Sequence, residues 1–213
     1  MLNKNTISVV CPVFNSEEYI QKTIKSVLNQ TLQVEELILI DDGSSDKTIN
    51  IINDIIDQYN GPTDIILIKS SHQGPGVARN IGIKKAKSEW ISFLDSDDHW
   101  LNNKIEVVKN HINNSPLINI FCHSEKFNRI DKTKKNLNYY KHYDSTVNFS
   151  KLLYKVNLFS TSATTCKKSL ILNNGLFDPN LPSSQDYDLW LKLSPHMNPF
   201  FIKDVLGIYF ERE

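Results

Sequence analysis

Apolar residues in the first hundred positions follow two alternating spacings. Short continuous apolar runs, typical of strands buried on both faces, lie at residues 7–13, 36–41, 64–69 and 90–94. Between them, apolar residues recur at three- and four-residue intervals, which predicts helices over about residues 17–29, 49–59 and 74–86. Asn15 and Ser16 precede the first helical segment and are expected to cap its N-terminus.

Four strands separated by helices predict an α/β fold with a mostly parallel sheet and helices on both faces. Right-handed crossovers place the carboxyl ends of the four strands at the same edge of the sheet. Polar clusters follow the strands there, at residues 12–15, 41–46, 70–76 and 95–98. Because open α/β sheets bind ligands at this edge, the sequence predicts a binding site where these clusters meet.

The second half of the chain has a less regular pattern. It predicts helices near residues 102–113, 149–156 and 184–194, and strands at 117–123 and within 200–210. Residues 124–147 are polar and then Tyr-rich, which favours a loop or hairpin. No linker, repeat or low-complexity block interrupts the chain, so we expect a single domain over residues 1–213.

Composition and charge exclude several classes of protein. The 213 residues include 24 Lys and Arg against 24 Asp and Glu, and this zero net charge argues against a nucleic acid partner. No apolar run approaches the roughly 18 residues of a membrane span. Three widely spaced cysteines without a CxxC pair, and a polar start rather than a signal peptide, favour a cytoplasmic location.

An acidic turn follows the fourth predicted strand. Asp95, Asp97 and Asp98 repel one another if unpaired, and a divalent cation such as Mg²⁺ or Mn²⁺ would relieve that repulsion. A solvated acidic turn is an equal alternative at this point. An EF-hand loop is excluded because Trp100 stands where such a loop needs glycine, and Arg79 stands at the third glycine position of a dinucleotide fingerprint.

Four other polar residues have both a structural and a functional interpretation. Asp41 and Asp42 before Gly43 suit an ordinary turn, but they also stand at the ligand edge, where they could accept hydrogen bonds from a base or ribose. Arg79, expected on the first turn of the third helix, suits either a surface salt bridge or a diphosphate contact. Asp186 begins a helix, where an acid is favourable on dipole grounds alone.

Several motifs in sequence order resemble the family 2 glycosyltransferases, whose nucleotide-sugar-binding fold is called GT-A. They are ISVVCPVFN at 7–15, DDGSSD at 41–46, GVARNIG at 76–82, FLDSDD at 93–98 and SQDYDLW at 184–190. The first four fall within residues 6–114, and the last extends the resemblance to about residue 210. The family often has Glu-Asp in its catalytic helix, where this chain has Gln185-Asp186.

The resemblance implies a role for each matching residue. Residues 1–114 would form the nucleotide-sugar-binding half and 115–213 the acceptor and catalytic half. The nucleotide-binding residues would be Pro12 and Phe14 at the base, Asp42 with Asp41 on the base edge, Asp95 at the ribose, and Arg79 and Ser96 beside them. Asp97 would coordinate the Mn²⁺ or Mg²⁺ that bridges the diphosphate, and Asp186 would be the general base.

The activity implied is inverting, metal-dependent sugar transfer from a nucleotide-diphospho-sugar, UDP-linked by preference. The acceptor would be a hydroxyl of a glycan or lipid-linked molecule in surface polysaccharide synthesis. The Gln-x-x-Arg-Trp motif of processive synthases is absent from the sequence, so we expect one sugar per acceptor. Work at the inner membrane face is expected, and the basic and aromatic stretch 132–143 is a candidate for peripheral membrane or acceptor contact.

Two alternatives remain for this sequence. One is a nucleotide-sugar-binding module without catalysis, although Asp97 and Asp186 are both retained. The other is a nucleotidyltransferase of related fold, which would normally carry a glycine-rich basic loop after the first strand. Residues 15–18 read Asn-Ser-Glu-Glu instead.

Overall fold

Four parallel strands form one half of a continuous sheet, as the apolar runs predict. A computed structural model describes residues 5–129 and 133–211 of the chain. These strands are β1 (Ile7–Val13), β2 (Glu36–Asp41), β3 (Asp64–Lys69) and β4 (Trp90–Phe93). They lie in the order β3-β2-β1-β4, and every neighbouring pair is parallel. The prediction of an α/β fold with a common carboxyl edge is therefore confirmed.

Helices cover both faces of this half of the sheet. They are α1 (Ile20–Leu28), α2 (Thr48–Gln58), α3 (Pro75–Lys85) and α4 (Lys104–Asn114). Successive strand residues point to opposite faces, so Val9 packs in one apolar cluster with α1, α2 and α4, while Val10 packs in the other with α3. Both valines are fully buried. This two-sided burial explains why the strands are continuous apolar runs.

The start of α1 differs from the sequence prediction. Ser16 does not cap the helix with its side chain; its carbonyl oxygen accepts hydrogen bonds from the backbone N–H groups of Tyr19 and Ile20, both at 2.9 Å. The resulting turn delays the helix to Ile20. Asn15 has a left-handed backbone, with φ of 42°, and its side chain accepts a hydrogen bond from Ser45 N at 2.9 Å. Asn15 therefore ties the β1 loop to the β2 loop.

The second half of the sheet is mixed in direction. Its strands are β5 (His99–Trp100), β6 (Ile120–Asn128), β7 (Lys134–Leu137), β8 (Thr164–Lys167) and β9 (Pro199–Phe210). The sheet continues from β4 through β8, β6 and β9 to β5, and β7 pairs with β6. Antiparallel pairing of β6 with β7 agrees with the expected hairpin. Strand β8, which the sequence did not predict, lies antiparallel between β4 and β6.

The remaining helices pack beside the mixed half. They are α5 (Phe149–Lys155), α6 (Lys168–Asn174) and α7 (Gln185–Leu193), with 3₁₀ turns at Tyr139–His142 and Ser194–His196. Helix α6 was also not predicted. Within residues 5–129 and 133–211, no helix has the length and apolar character that crossing a membrane requires. Lys132, the first residue of the expected contact stretch 132–143, lies outside the described residues.

Candidate active site

A cavity of about 290 Å³ opens at the carboxyl edge of the parallel strands. Its lining combines the last residues of β1 and the loops after β1, β2 and β4 with the loop before α3 and α3 itself. The lining residues are Pro12, Val13, Phe14, Asp42, His72, Pro75, Arg79, Asp95, Ser96 and Asp97. Every nucleotide-binding or metal-binding residue expected from the sequence is among them except Asp41.

Asp42 fixes the loop before α3 at the edge of this cavity. Its carboxylate accepts hydrogen bonds from the backbone N–H groups of Gln73 and Gly74, both at 2.8 Å. Gly74 has a φ of 92°, a left-handed conformation that favours glycine. A carboxylate has about four acceptor positions, so Asp42 retains capacity for a ligand. Asp41 is buried, and its carboxylate accepts from Ser44 N at 3.2 Å, which is ordinary turn chemistry.

Arg79 forms an ion pair with Asp95 in the cavity wall, with its guanidinium buried and the carboxylate partly exposed. The exposed fractions of the two side chains are 7% and 29%. Arg79 is the fifth residue of α3 rather than a first-turn residue, and its guanidinium also lies 5.3 Å from the centroid of the Phe177 ring. The salt bridge considered from the sequence is therefore formed, but at the cavity wall and with the guanidinium buried. Arg79 holds Asp95 at the cavity while lining the cavity itself.

The acidic turn after β4 separates its carboxylates. Asp95 and Asp97 line the cavity, whereas Asp98 is buried and accepts hydrogen bonds from the Ser162 hydroxyl at 2.6 Å and from Phe210 N at 2.9 Å. Burial raises the pKa of Asp98 well above its usual value, and the nearby Asp95 and Asp97 raise it further. The three carboxylates therefore do not act as one set.

The metal ligands available at the cavity suit a cation that protein side chains coordinate only in part. Among the described residues, no group of three or more His, Cys, Asp or Glu side chains could enclose a metal ion. Mg²⁺ is usually bound by one or two carboxylates together with phosphate oxygens and water. Asp97 on the cavity wall supplies such a carboxylate, so the residues fit Mg²⁺ or Mn²⁺ bound jointly with a diphosphate.

A second cavity of about 340 Å³ adjoins the first, since Asp95 lines both. Its other lining residues are Leu137, Tyr139, Asn157, Phe159, Ser160, Thr161, Asp186 and Tyr209. Asp186 is the second residue of α7, and the Thr161 hydroxyl donates to it at 3.4 Å. Asp188 is instead paired with Lys192 at 2.6 Å, one helical turn away. The structure thus places Asp186, and not Asp188, in a cavity beside the first.

Two charged residues behind the cavities were not identified from the sequence. Glu125 on β6 is fully buried and accepts a hydrogen bond from the Tyr139 hydroxyl at 2.9 Å. Burial raises its pKa to about 7. Lys104 is also fully buried and donates to the hydroxyls of Ser92 at 2.9 Å and Thr165 at 3.2 Å. Neither position carries a local sequence signal for burial.

His72 was likewise missed at the first cavity. It falls within the polar cluster 70–76 that the sequence placed at the ligand edge, but nothing there distinguishes it from its neighbours. The structure stacks its imidazole on Phe14, with ring centroids 4.3 Å apart.

Comparison with known proteins places these features in a wider context. A sequence model described as glycosyl transferase family 2 matches residues 8–172. An uncharacterized glycosyltransferase of Haemophilus influenzae is 47% identical over 116 residues, covering 52% of this chain and 46% of that protein. WfaP of Escherichia coli is 41% identical over 100 residues, covering 46% of this chain and 38% of that protein. It is named a UDP-Glc:alpha-D-GlcNAc-diphosphoundecaprenol beta-1,3-glucosyltransferase.

The fold also matches solved structures. The crystal structure of S. aureus TarS 1-349 in complex with UDP-GlcNAc superposes with a TM-score of 0.79, covering 98% of this chain and 59% of that chain. At 23% sequence identity, this likeness concerns the fold alone. The chain spans 46%, 27% and 62% of the length of three curated relatives that it matches.

Proposed function

The chain belongs to glycosyl transferase family 2, and we propose that it transfers a sugar from a nucleotide-diphospho-sugar to an acceptor hydroxyl. The observation that carries this proposal is the junction of the two cavities at Asp95. The first cavity presents an aromatic ring, carboxylates and a guanidinium, which suit a base, a ribose and a metal-bound diphosphate. The second presents Asp186 beside that junction. Donor and acceptor would therefore meet near Asp95.

Asp186 is proposed as the general base. A hydroxyl is a weak nucleophile until a positioned carboxylate takes its proton, and Asp186 lines the cavity that an acceptor would enter. Attack from that side and departure of the nucleoside diphosphate on the other side constitute one displacement, which inverts the anomeric carbon. When bound, a divalent cation held by Asp97 would stabilise negative charge on the departing diphosphate. Arg79 would add a fixed positive charge on the same wall.

UDP is the proposed nucleotide, and a lipid-linked or glycan hydroxyl is the proposed acceptor. The support is the donor and acceptor printed in the name of WfaP, and the UDP-GlcNAc bound by the TarS structure. We propose non-processive addition, with one sugar transferred to each acceptor. A lipid-linked acceptor would bring the reaction to a membrane face, and we propose that this is the cytoplasmic face.

The proposal is tested by screening UDP- and GDP-sugars for release of the nucleoside diphosphate, with Mn²⁺ or Mg²⁺ and then with EDTA. Slow release to water, accelerated by a saccharide or lipid-linked acceptor, is expected only when the cation is present. Nucleotide binding without any release, across the screen, would favour a binding module instead. The anomeric configuration of the product, read by NMR, tests inversion.

A further inference from the structure

The imidazole of His72 makes two specific contacts inside the first cavity. Its ring stacks on Phe14 with centroids 4.3 Å apart and planes 24° from parallel. Its Nδ1 lies 2.9 Å from the Asp42 carboxylate and 3.1 Å from the Asp42 carbonyl oxygen. The N–H on that nitrogen therefore points toward the edge of the cavity that Asp42 forms. A flat, nitrogen-bearing ring thus lies against an aromatic side chain and donates to a carboxylate.

Those contacts are the ones that a nucleobase would need in this cavity. Any nucleobase can stack on an aromatic side chain, because every base has a π-face. Uracil and guanine also carry a ring N–H that can donate to a carboxylate, as the imidazole does. Under the proposed function, Phe14 and Asp42 contact the base, so His72 and the base require the same two partners. A base that uses the ring face of Phe14 and the Asp42 oxygen now in contact with His72 must displace the imidazole.

We infer that His72 is an internal occupant of the nucleobase subsite, and that a donor nucleotide binds by displacing it. This inference rests on the proposed function, because it takes the first cavity as the donor site. The displacement needs only rotation of a side chain. The backbone on the C-terminal side of His72 is fixed by the hydrogen bonds from Gln73 N and Gly74 N to Asp42, while the side chain is 60% exposed.

The consequence is a cost in donor affinity that is set by one side chain. When a tethered side chain occupies the subsite, the apparent affinity equals the intrinsic affinity multiplied by the fraction of molecules whose subsite is vacant. A hydrogen bond made by a largely exposed side chain and one ring stack are each weak, so the imidazole should lower nucleotide affinity by about three- to thirtyfold. The cost is greatest for a nucleotide whose base cannot both stack on Phe14 and donate to Asp42, because such a base does not replace the contacts that His72 gives up.

The decisive experiment is calorimetric titration of UDP with Mn²⁺ into the wild-type chain and into His72→Ala. The variant should bind UDP about three- to thirtyfold more tightly, because its subsite is open. Inorganic pyrophosphate with Mn²⁺ should bind both chains equally, because it does not enter the base subsite. His196→Ala, which removes another exposed imidazole that does not line the cavity, should leave the UDP affinity unchanged.

Equal or weaker UDP binding by His72→Ala would overturn the inference, since a histidine that merely walls the base would strengthen binding. A second readout is the NMR contact between the Phe14 and His72 rings, which should be present in the free chain and lost on saturation with UDP. Its persistence with UDP bound would also overturn the inference. If neither chain binds UDP or GDP, the proposed donor site fails as well; equal binding by both leaves that site intact.

Discussion

The guanidinium of Arg79 is paired with the carboxylate of Asp95, and this contact joins the middle of α3 to the end of β4. Asp95 lines both cavities, so the ion pair holds the one residue that they share. Arg79 is 6% exposed, and a charge this deeply buried depends on its partner. The pair therefore serves the stability of the fold as well as the shape of the site.

Replacing this arginine should cost stability. Arg79→Met leaves Asp95 without its partner, and we expect the free energy of unfolding to fall by about 2–4 kcal/mol. Urea denaturation followed by circular dichroism measures the change. The matched control is Lys192→Met, because the Lys192 side chain is 38% exposed and its helical pair with Asp188 should be worth only about 0.3–0.5 kcal/mol. Equal losses in the two variants would contradict the structural role given to Arg79.

Asp97 should control metal-dependent nucleotide binding. Asp97→Ala removes the proposed cation ligand, so UDP should lose the part of its affinity that requires Mn²⁺, while the thermal midpoint changes little. Isothermal titration with Mn²⁺ and with EDTA measures the difference. Asp57→Ala, on the exposed face of α2, is the control and should bind UDP as the wild type does. The metal assignment would be wrong if EDTA had no effect on UDP binding by the wild type.

Asp186 and Asp188 should differ sharply in their effect on chemistry. Two residues along a helix correspond to a rotation of about 200°, and only Asp186 lines the second cavity. Asp186→Asn should slow sugar transfer by about 10²–10⁴-fold, with UDP affinity retained, because a positioned base contributes that much. Asp188→Asn should lose only its pairing with Lys192.

The measurement for this pair is the rate of UDP release from the active UDP-sugar with acceptor, beside the UDP dissociation constant. Similar rate losses in the two variants would remove Asp186 from the role of base. A loss of thermal stability in Asp186→Asn, without a specific loss of rate, would indicate a helix-start acid instead.

Glu125 should make the stability of the chain depend on pH. Its pKa is raised from 4.5 to about 7 by burial, so the folded chain retains a proton that the unfolded chain releases between those values. The contribution of Glu125 to the free energy of unfolding should therefore fall as pH rises from about 4.5 to about 7, by about 3 kcal/mol. Burial lowers the pKa of His99 to about 4 and that of His123 to about 3, so these two residues act in the opposite direction below about pH 6.5 and are common to wild type and variant. Glu125→Gln imitates the protonated acid and should remove most of this fall.

Urea denaturation at several pH values between 4.5 and 8 gives the comparison. Glu18→Gln makes the same chemical change at an exposed position of the β1 loop and should keep the wild-type slope. Identical pH profiles for wild type and Glu125→Gln would show that Glu125 does not hold the proton.

The parallel half of the fold could be predicted because each of its strands is marked by a continuous apolar run in the local sequence. Val9 and Val10 are adjacent and both buried, so the apolar run itself reports a strand with two covered faces. Strand β8 has no such signal. Thr165 is buried because its hydroxyl lies 2.7 Å from that of Ser92 and accepts from Lys104. Those partners come from β4 and α4, far away in the chain, and no spacing within Thr164–Lys167 indicates them.

The candidate site, like the fold, could be predicted only in part. Asp42, Asp95 and Asp97 follow parallel strands, whose carboxyl ends meet by topology, so their convergence could be expected. The inward turn of Asp98 could not, because it depends on Ser162 and Phe210 from the second half. The position of His72 depends on the conformation of a loop that Asp42 fixes through backbone contacts.

The hydrogen bond from Phe210 N to Asp98 joins positions 112 residues apart, which sets an order of events during synthesis. A ribosome delivers the acidic turn long before it delivers β9. The turn can therefore reach its final conformation only after β9 has emerged and paired along β6. Contacts of such long sequence separation close slowly, so a nascent chain would build its parallel strands first and complete its acidic turn last.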